Sequence, residues 1–285
     1  MQGKIKGILW SGLYILIALG VQLMIGLSMA VVAMSVCFTN GIGGSAISQM
    51  YTDMLEYFTS GEGAIFLTAL CDLVTFVMFG LWYYFRENKY PFRPNYKIAF
   101  SRKNVVAILG IGIFGQLGVQ LIMSVVRMIL PGIFQSYEKL NEMLQIDSVN
   151  PILMLAIVCV LGPLSEELLF RGMIYAKLRR SFTIWPAAIL SALAFGLFHG
   201  NVVQAIYATL FGIVLAYVYE KTQTIWGSCL LHVIFNSFAY VLEGIMKLFD
   251  ASSMIVNIVF LVFELVSIVL VIALMKSMGR QKANP

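Results

Sequence analysis

The sequence is poor in charge. Only 12% of its 285 residues are Asp, Glu, Lys or Arg, while 60% are hydrophobic; a soluble globular protein carries about 25% charged residues. So little charge cannot solvate a water-exposed surface, which excludes an ordinary soluble domain and, with a mean hydropathy of +0.88, points to a polytopic membrane protein. The net charge of +5 is then a matter of loop placement, not a sign of a nucleic-acid partner. Cysteine is scarce as well. Cys37, Cys71, Cys159 and Cys229 lie in or beside apolar runs without metal-like or disulfide-like spacing, which marks them as packed thiols. No internal repeat of the inverted-transporter kind is present. Scarcest of all is histidine, with two residues, His199 and His232.

Long apolar runs are what the chain has in abundance. A helical span needs about 20 mostly apolar residues, and that rule predicts an all-α transmembrane helix bundle of about eight spans, near 10–36, 64–85, 105–130, 151–176, 185–199, 202–219, 225–245 and 254–275. The fifth is short. The first run is too long for the apolar core of a signal peptide, so it is expected to stay as a helix. The chain divides into N-terminal spans and loops (1–145), a core of helices (146–250), and a last span with a basic tail (251–285). Basic residues collect on one side: Lys4, Lys6, Arg86 to Lys103, Lys177 to Arg180, Lys221 and Lys276 to Lys282. The other side has Lys139 and Lys247 among acidic residues such as Glu62, Glu138 and Glu243. The positive-inside rule therefore predicts both termini cytoplasmic.

Three connecting stretches carry expectations of their own. Thr39 to Gly63, with its Gly41-Ile-Gly-Gly-Ser run, is expected to be mobile. Lys89 to Lys103 mixes basic and aromatic residues, as an ordinary cytoplasmic loop or a contact with anionic headgroups would. Ser136 to Asn150 carries Leu140, Met143 and Leu144 among charges and reads as a short interfacial helix before Pro151.

Charges inside hydrocarbon are costly and call for a reason. Asp72, Arg127 and Glu264 stand alone and read as structural, with Asp72 and Arg127 placed to pair. The 146–250 core is different. Glu166 and Glu167 fall in the fourth span, His199 ends the fifth, and His232 and Asn236 lie in the seventh. Glu167 and Arg171 are i and i+4 with Glu first, the favoured order for an ion pair, so they brace the helix and leave Glu166 for chemistry. Adjacent helical residues point about 100° apart, so Glu166 and Glu167 cannot face one small site equally. His232 and Asn236, also i and i+4, project together. Counting about 1.5 Å of rise per residue from the cytoplasmic ends puts Glu166 roughly 17–21 Å deep, His199 roughly 20 Å, His232 roughly 10 Å and Asn236 roughly 16 Å, close enough to share one water-filled cavity.

A buried carboxylate near an imidazole can activate water as a general base, and a His with an Asn one turn away can donate to a developing oxyanion. These are parts for hydrolysing an amide. Glu166, His199 and His232 could instead hold Zn²⁺ with an open water position. Asn236 is a better oxyanion donor than zinc ligand, so no metal is favoured. Ser165 and Ser237 flank the motifs without a spacing that makes either a nucleophile.

Three motifs then stand in order: Glu166-Glu167-Leu-Leu-Phe-Arg171, Phe195-Gly-Leu-Phe-His199 and His232-Val-Ile-Phe-Asn236, with Phe211 to Lys221 between the last two. Together they resemble the CAAX-protease and bacteriocin-processing (CPBP, formerly Abi) intramembrane proteases over about 150–245. The resemblance implies peptide-bond hydrolysis within a helical bundle, with Glu166 and His199 activating water, His232 and Asn236 stabilising the oxyanion, and Glu167 and Arg171 as support. It implies a peptide, lipopeptide or membrane-protein substrate and a bilayer environment; the compact chain without organelle signals makes a bacterial cell membrane the expected location. Some relatives trim prenylated CAAX proteins; others serve peptide maturation or bacteriocin immunity. The competing readings are a non-catalytic adaptor or immunity protein with the same fold, and a proton-coupled transporter.

Overall fold

The structure is a computed structural model that describes residues 2–39, 49, 52–53, 56–58, 61–87, 95–145, 149–249 and 253–279. The Gly41-Ile-Gly-Gly-Ser run and, of the stretch Lys89 to Lys103, residues 89–94 lie outside these residues. The described chain is all-α. Its helices are α1 (Gln2–Thr39), α2 (Gly61–Trp82), α3 (Tyr96–Ala99), α4 (Arg102–Ile129), α5 (Pro131–Met143), α6 (Pro151–Arg179), α7 (Ile184–Phe198), α8 (Val202–Thr222), α9 (Ile225–Met246) and α10 (Met254–Ser277).

Among the described residues, seven of these are long and apolar enough to cross a membrane: α1, α2, α4, α6, α8, α9 and α10. The expected count of about eight, with the fifth short, is met by these seven long helices and the short α7. With 15 residues, α7 reaches only about 22 Å at 1.5 Å per residue, short of a hydrocarbon core of about 30 Å. It ends because His199 is followed by Gly200, whose φ of 68° is the left-handed conformation that glycine adopts without a Cβ penalty and that stops helices. Asn201 then caps α8 by accepting from the backbone N–H groups of Val203 and Gln204, as an N-cap side chain should. The interfacial helix expected within Ser136 to Asn150 is present as α5. It begins earlier, at Pro131, since a proline suits the first turn, where no N–H is needed.

Helices α1 and α10 show apolar side chains outward along most of their length (Leu9, Leu16, Leu23, Val262, Val269), as lipid-facing helices do. The core lies inside them and gathers Phe170, Met173, Tyr175, Leu215, Tyr219 and Leu231. α4 packs against α8, α9 and α10, while α6 packs against α1, α2, α7 and α9. The tightest crossing is the α7–α8 hairpin. A Cβ on Gly196 would meet the Thr209 hydroxyl and come within 2.6 Å of the Ala205 carbonyl oxygen, and Gly212 rests on Ala192. Small residues let helix backbones approach in this way in membranes. Gly196→Val is expected to destabilise the fold by at least about 1–3 kcal/mol, because a backbone carbonyl cannot rotate away. A lowered thermal unfolding midpoint in detergent checks this.

The lone charges sort themselves differently from the expected Asp72–Arg127 pair. Leu130 and Pro131 break the chain between α4 and α5 and fold Glu138 back onto Arg127 at 2.7 Å, with the guanidinium over Phe134. Asp72 turns to α6 instead, where Ser165 donates to it at 2.9 Å. Glu264 faces the bundle and is buried.

Candidate active site

Helix α6 holds the Glu pair and is not a plain α-helix. Asn150 caps it by accepting from Ile152 N–H. It widens to π-helical turns over Met154–Leu161, narrows over Gly162–Glu167, and widens again over Leu168–Tyr175. Such π segments recur at functional sites. In the first of them the Gly162 N–H bonds back to Ile157 O. The next carbonyl, that of Val158, should receive the N–H five residues on, but that residue is Pro163, which has none. Asn236 fills the vacancy from α9, its Nδ2 donating to Val158 O at 3.1 Å. A buried carbonyl needs such a partner, so the proline in Gly162-Pro163 and the asparagine one turn after His232 belong to one device that docks α9 on α6.

One turn further along, Glu166 and Glu167 take different environments. The Glu166 side chain is 25% exposed and Glu167 is fully buried. Glu167 Oε1 accepts from Arg171 Nη1 at 2.7 Å and from His232 Nδ1 at 3.1 Å. Arg171, also fully buried, donates through Nη2 to Gly212 O at 3.1 Å and lies over the Phe195 ring, 4.5 Å from its centre. The expected Glu167–Arg171 pair is present, with one addition. The His232 ring reaches both, since its Nε2 lies 3.6 Å from Glu166 Oε2. That exceeds a direct hydrogen bond but is close enough for one proton or one water to link them.

His199 sits at the tip of the α7–α8 hairpin. Its Nδ1 is 2.8 Å from Phe195 O. A carbonyl oxygen only accepts, so Nδ1 carries the hydrogen and Nε2 presents a lone pair. Phe195 and Phe211 wedge edge-on between the functional rings: Phe195 against His199 and His232, and Phe211 against His232.

Glu166, His199, His232 and Asn236 all line one cavity of about 830 Å³, within the range of ligand-binding clefts. Its walls are largely apolar, with Gln116, Gln120, Gln204, Tyr137, Tyr207 and Tyr240 as polar groups. The buried Oε1 of Gln116 has no hydrogen-bond partner among the described residues. Asn236 keeps a second amide N–H beyond the one given to Val158. For the zinc alternative, among the described residues no three His, Cys, Asp or Glu side chains are grouped to hold a metal ion. In each imidazole Nδ1 is engaged, His199 by Phe195 O and His232 by Glu167, which leaves Nε2 as the nitrogen that a ligand or a water could meet.

One wall residue escaped the sequence reading. Asp72 comes from α2, outside the motif region, and lines the same cavity. The Ser165 hydroxyl next to Glu166 lies 2.9 Å from both Asp72 Oδ1 and Gly162 O. Its sequence signal was only that of a charge in a span, and its partner is 93 residues away.

Comparison with known proteins agrees with the motifs. Residues 148–238 match the family model described as "Type II CAAX prenyl endopeptidase Rce1-like". The chain is 27% identical over 112 residues to "Putative membrane peptidase YdiL" of Bacillus subtilis (strain 168), a match covering 39% of this chain and 46% of that protein. The chain thus matches about half the length of that relative. No solved structure matches the chain. The matched region, residues 148–238, is the stretch that holds the three motifs, and it is to that family model that this part of the chain is similar.

Proposed function

We propose that this chain is an intramembrane endopeptidase. The observation that carries the reading is that Glu166, His199, His232 and Asn236, drawn from three helices, line one cavity within the span region. In this reading the Glu166 carboxylate takes a proton from a water held with the bare Nε2 of His199. The resulting hydroxide adds to the carbonyl carbon of the peptide. His232, when it carries a hydrogen on Nε2 as well as the one that Nδ1 gives to Glu167, and the second N–H of Asn236 would donate to the oxyanion. Glu166 then passes its proton to the leaving amine nitrogen, so the C–N bond breaks with atoms and charge balanced. Glu167 and Arg171 keep His232 in place. The substrate is a peptide, lipopeptide or membrane protein reached from the bilayer, and the homology to a Bacillus protein supports a bacterial cell membrane as the location. No step is assigned to a metal.

Asp72 enters this reading as a positioning residue that fixes the turn carrying Glu166 through Ser165. Asp72→Leu is expected to lower kcat about tenfold, the loss of one positioning contact of roughly 1.4 kcal/mol, with KM little changed. Asp72→Asn, which keeps an acceptor for Ser165, restores most of the rate. Equal loss in both variants would remove Asp72 from the site.

The test of the function is comparative peptidomics of cells carrying the wild-type or the Glu166→Gln protein. Peptides or trimmed termini that vanish with Glu166→Gln name the substrate. Identical peptidomes, with Glu166→Gln, His199 and His232 variants still complementing in cells, would favour the non-catalytic adaptor or immunity role.

A further inference from the structure

The cavity has a direction. The wall residues reach from the middle of the bundle to one end of it. Helix α2 contributes Thr68 and, at its midpoint, Asp72, and α4 contributes Gln116 to Met123 from its second half. Helix α6 contributes Met154 to Glu166, from its start to just past its midpoint, α8 Gln204 to Phe211 from its first half, and α9 His232 to Met246, from its middle to its end. These stretches all run to the same end of the bundle. The wall continues to the last residue of α9, Met246, and past it to Lys247 and Phe249, all exposed. Glu243 and Lys247 form an exposed pair there at 2.8 Å. This is the mouth.

The other end is closed beneath Glu166. Below it come the buried Glu167–Arg171 pair, then Tyr175 and Tyr219, ring against ring. Then comes Glu220, which accepts from Tyr175 at 2.8 Å and from Arg179 through both carboxylate oxygens at 3.1 and 3.0 Å. Ser181 ties the α6–α7 turn to Gly3 O at the start of α1. A smaller cavity of about 290 Å³ does lie at this end, between Tyr83, Tyr84, Leu168 and Trp226. It shares no wall residue with the larger one and reaches none of Glu166, His199 or His232.

The closed end is also the basic end. Arg102, Lys103, Lys177, Arg179, Arg180, Lys221 and Lys276 sit at the helix termini there, and both α1 and α10 have their terminal ends on that side. Basic helix termini stay cytoplasmic. We infer that the Glu166 cavity opens to the extracytoplasmic side, so that the substrate is an extracytoplasmic segment of a secreted or membrane-anchored peptide and not a cytoplasmic C-terminus. The inference rests on the proposed peptidase reading for what enters the cavity, but the side of the opening stands on geometry and charge alone. Two neutral features suit an extended peptide chain arriving from that side: the Gln and Tyr side chains of the wall, which can pair with peptide groups, and the unpartnered Oε1 of Gln116.

Thiol labelling tests the side without relying on catalysis. Ala239→Cys lies in the cavity wall, Met246→Cys at the mouth and Lys103→Cys at the basic end. Each is made in the full-length protein and treated with a membrane-impermeant maleimide on intact cells and on inverted vesicles, with the wild-type protein as control for its own cysteines. The expected result is that Ala239→Cys and Met246→Cys label on intact cells, while Lys103→Cys labels only on inverted vesicles. Labelling of Met246→Cys only on inverted vesicles, or of Lys103→Cys on intact cells, overturns the inference. So does failure of Ala239→Cys to label from outside when Met246→Cys labels. Should one variant not accumulate, the remaining pair still assigns the side. If labelling is as expected but the peptidomes of wild-type and Glu166→Gln cells agree, the orientation stands and the peptidase reading fails.

Discussion

Purified Glu166→Gln protein is expected to lose about 10²–10⁴-fold in peptide hydrolysis, the range for removing a general base, with an unchanged thermal unfolding midpoint. The two halves of that expectation come from different facts. Gln has nearly the shape of Glu but cannot take a proton from water. Among the described residues, the nearest partner of Glu166 Oε2 is His232 at 3.6 Å, and its side chain lines the cavity, so little native bonding is lost. Cleavage at the wild-type rate by Glu166→Gln would refute the role. The same assay with and without phenanthroline addresses the zinc alternative: full activity in the chelator, with no metal by elemental analysis, excludes a metal role for Glu166, His199 and His232. A chelator-sensitive rate restored by zinc would instead mean that these three rearrange around an ion.

How much of this site was legible in the sequence depended on how local each signal was. Glu166, Glu167, Arg171, His199, His232 and Asn236 stood out because each is costly in an apolar helix, and helical spacing alone paired Glu167 with Arg171. Spacing could not show that α6 winds as π-helix on both sides of the Glu pair, since the composition of Met154–Leu161 suits either winding. For that reason the Val158 carbonyl left bare by Pro163, and the Asn236 amide that fills it, were invisible. Asp72 was assigned the wrong partner because a lone charge says only that a partner exists. Which helix supplies it is a tertiary fact, here Ser165 on α6. The shortness of α7 was legible from the length of its apolar run, but its cause, a hairpin tip turned by Gly200, was not.

Arg171→Met is expected to be the most damaging single change to stability, about 3–5 kcal/mol, the cost of breaking a buried ion pair and leaving one charge uncompensated. Three contacts go at once: the 2.7 Å bond to Glu167, the 3.1 Å bond to Gly212 O and the stack on Phe195. The larger effect is what remains. Glu167 would keep its charge in a fully buried place with only neutral donors or His232 Nδ1 beside it and no guanidinium. The double variant Glu167→Gln with Arg171→Met should therefore recover much of the loss, because no charge is left buried and the Gln carbonyl still accepts from His232. Arg171→Lys should not recover it, since an ammonium lacks the planar fork that reaches Glu167 and Gly212 together and the face that lies on Phe195. Unfolding midpoints in detergent for the four proteins check the order: wild type, then the double variant, with Arg171→Lys and Arg171→Met well below. A double variant no more stable than Arg171→Met would mean that the pair acts through packing and not through charge. Activity divides the two members of the Glu pair in the same experiment. A variant at Glu166 loses rate and keeps its midpoint, whereas one at Arg171 loses its midpoint first and its rate as a consequence.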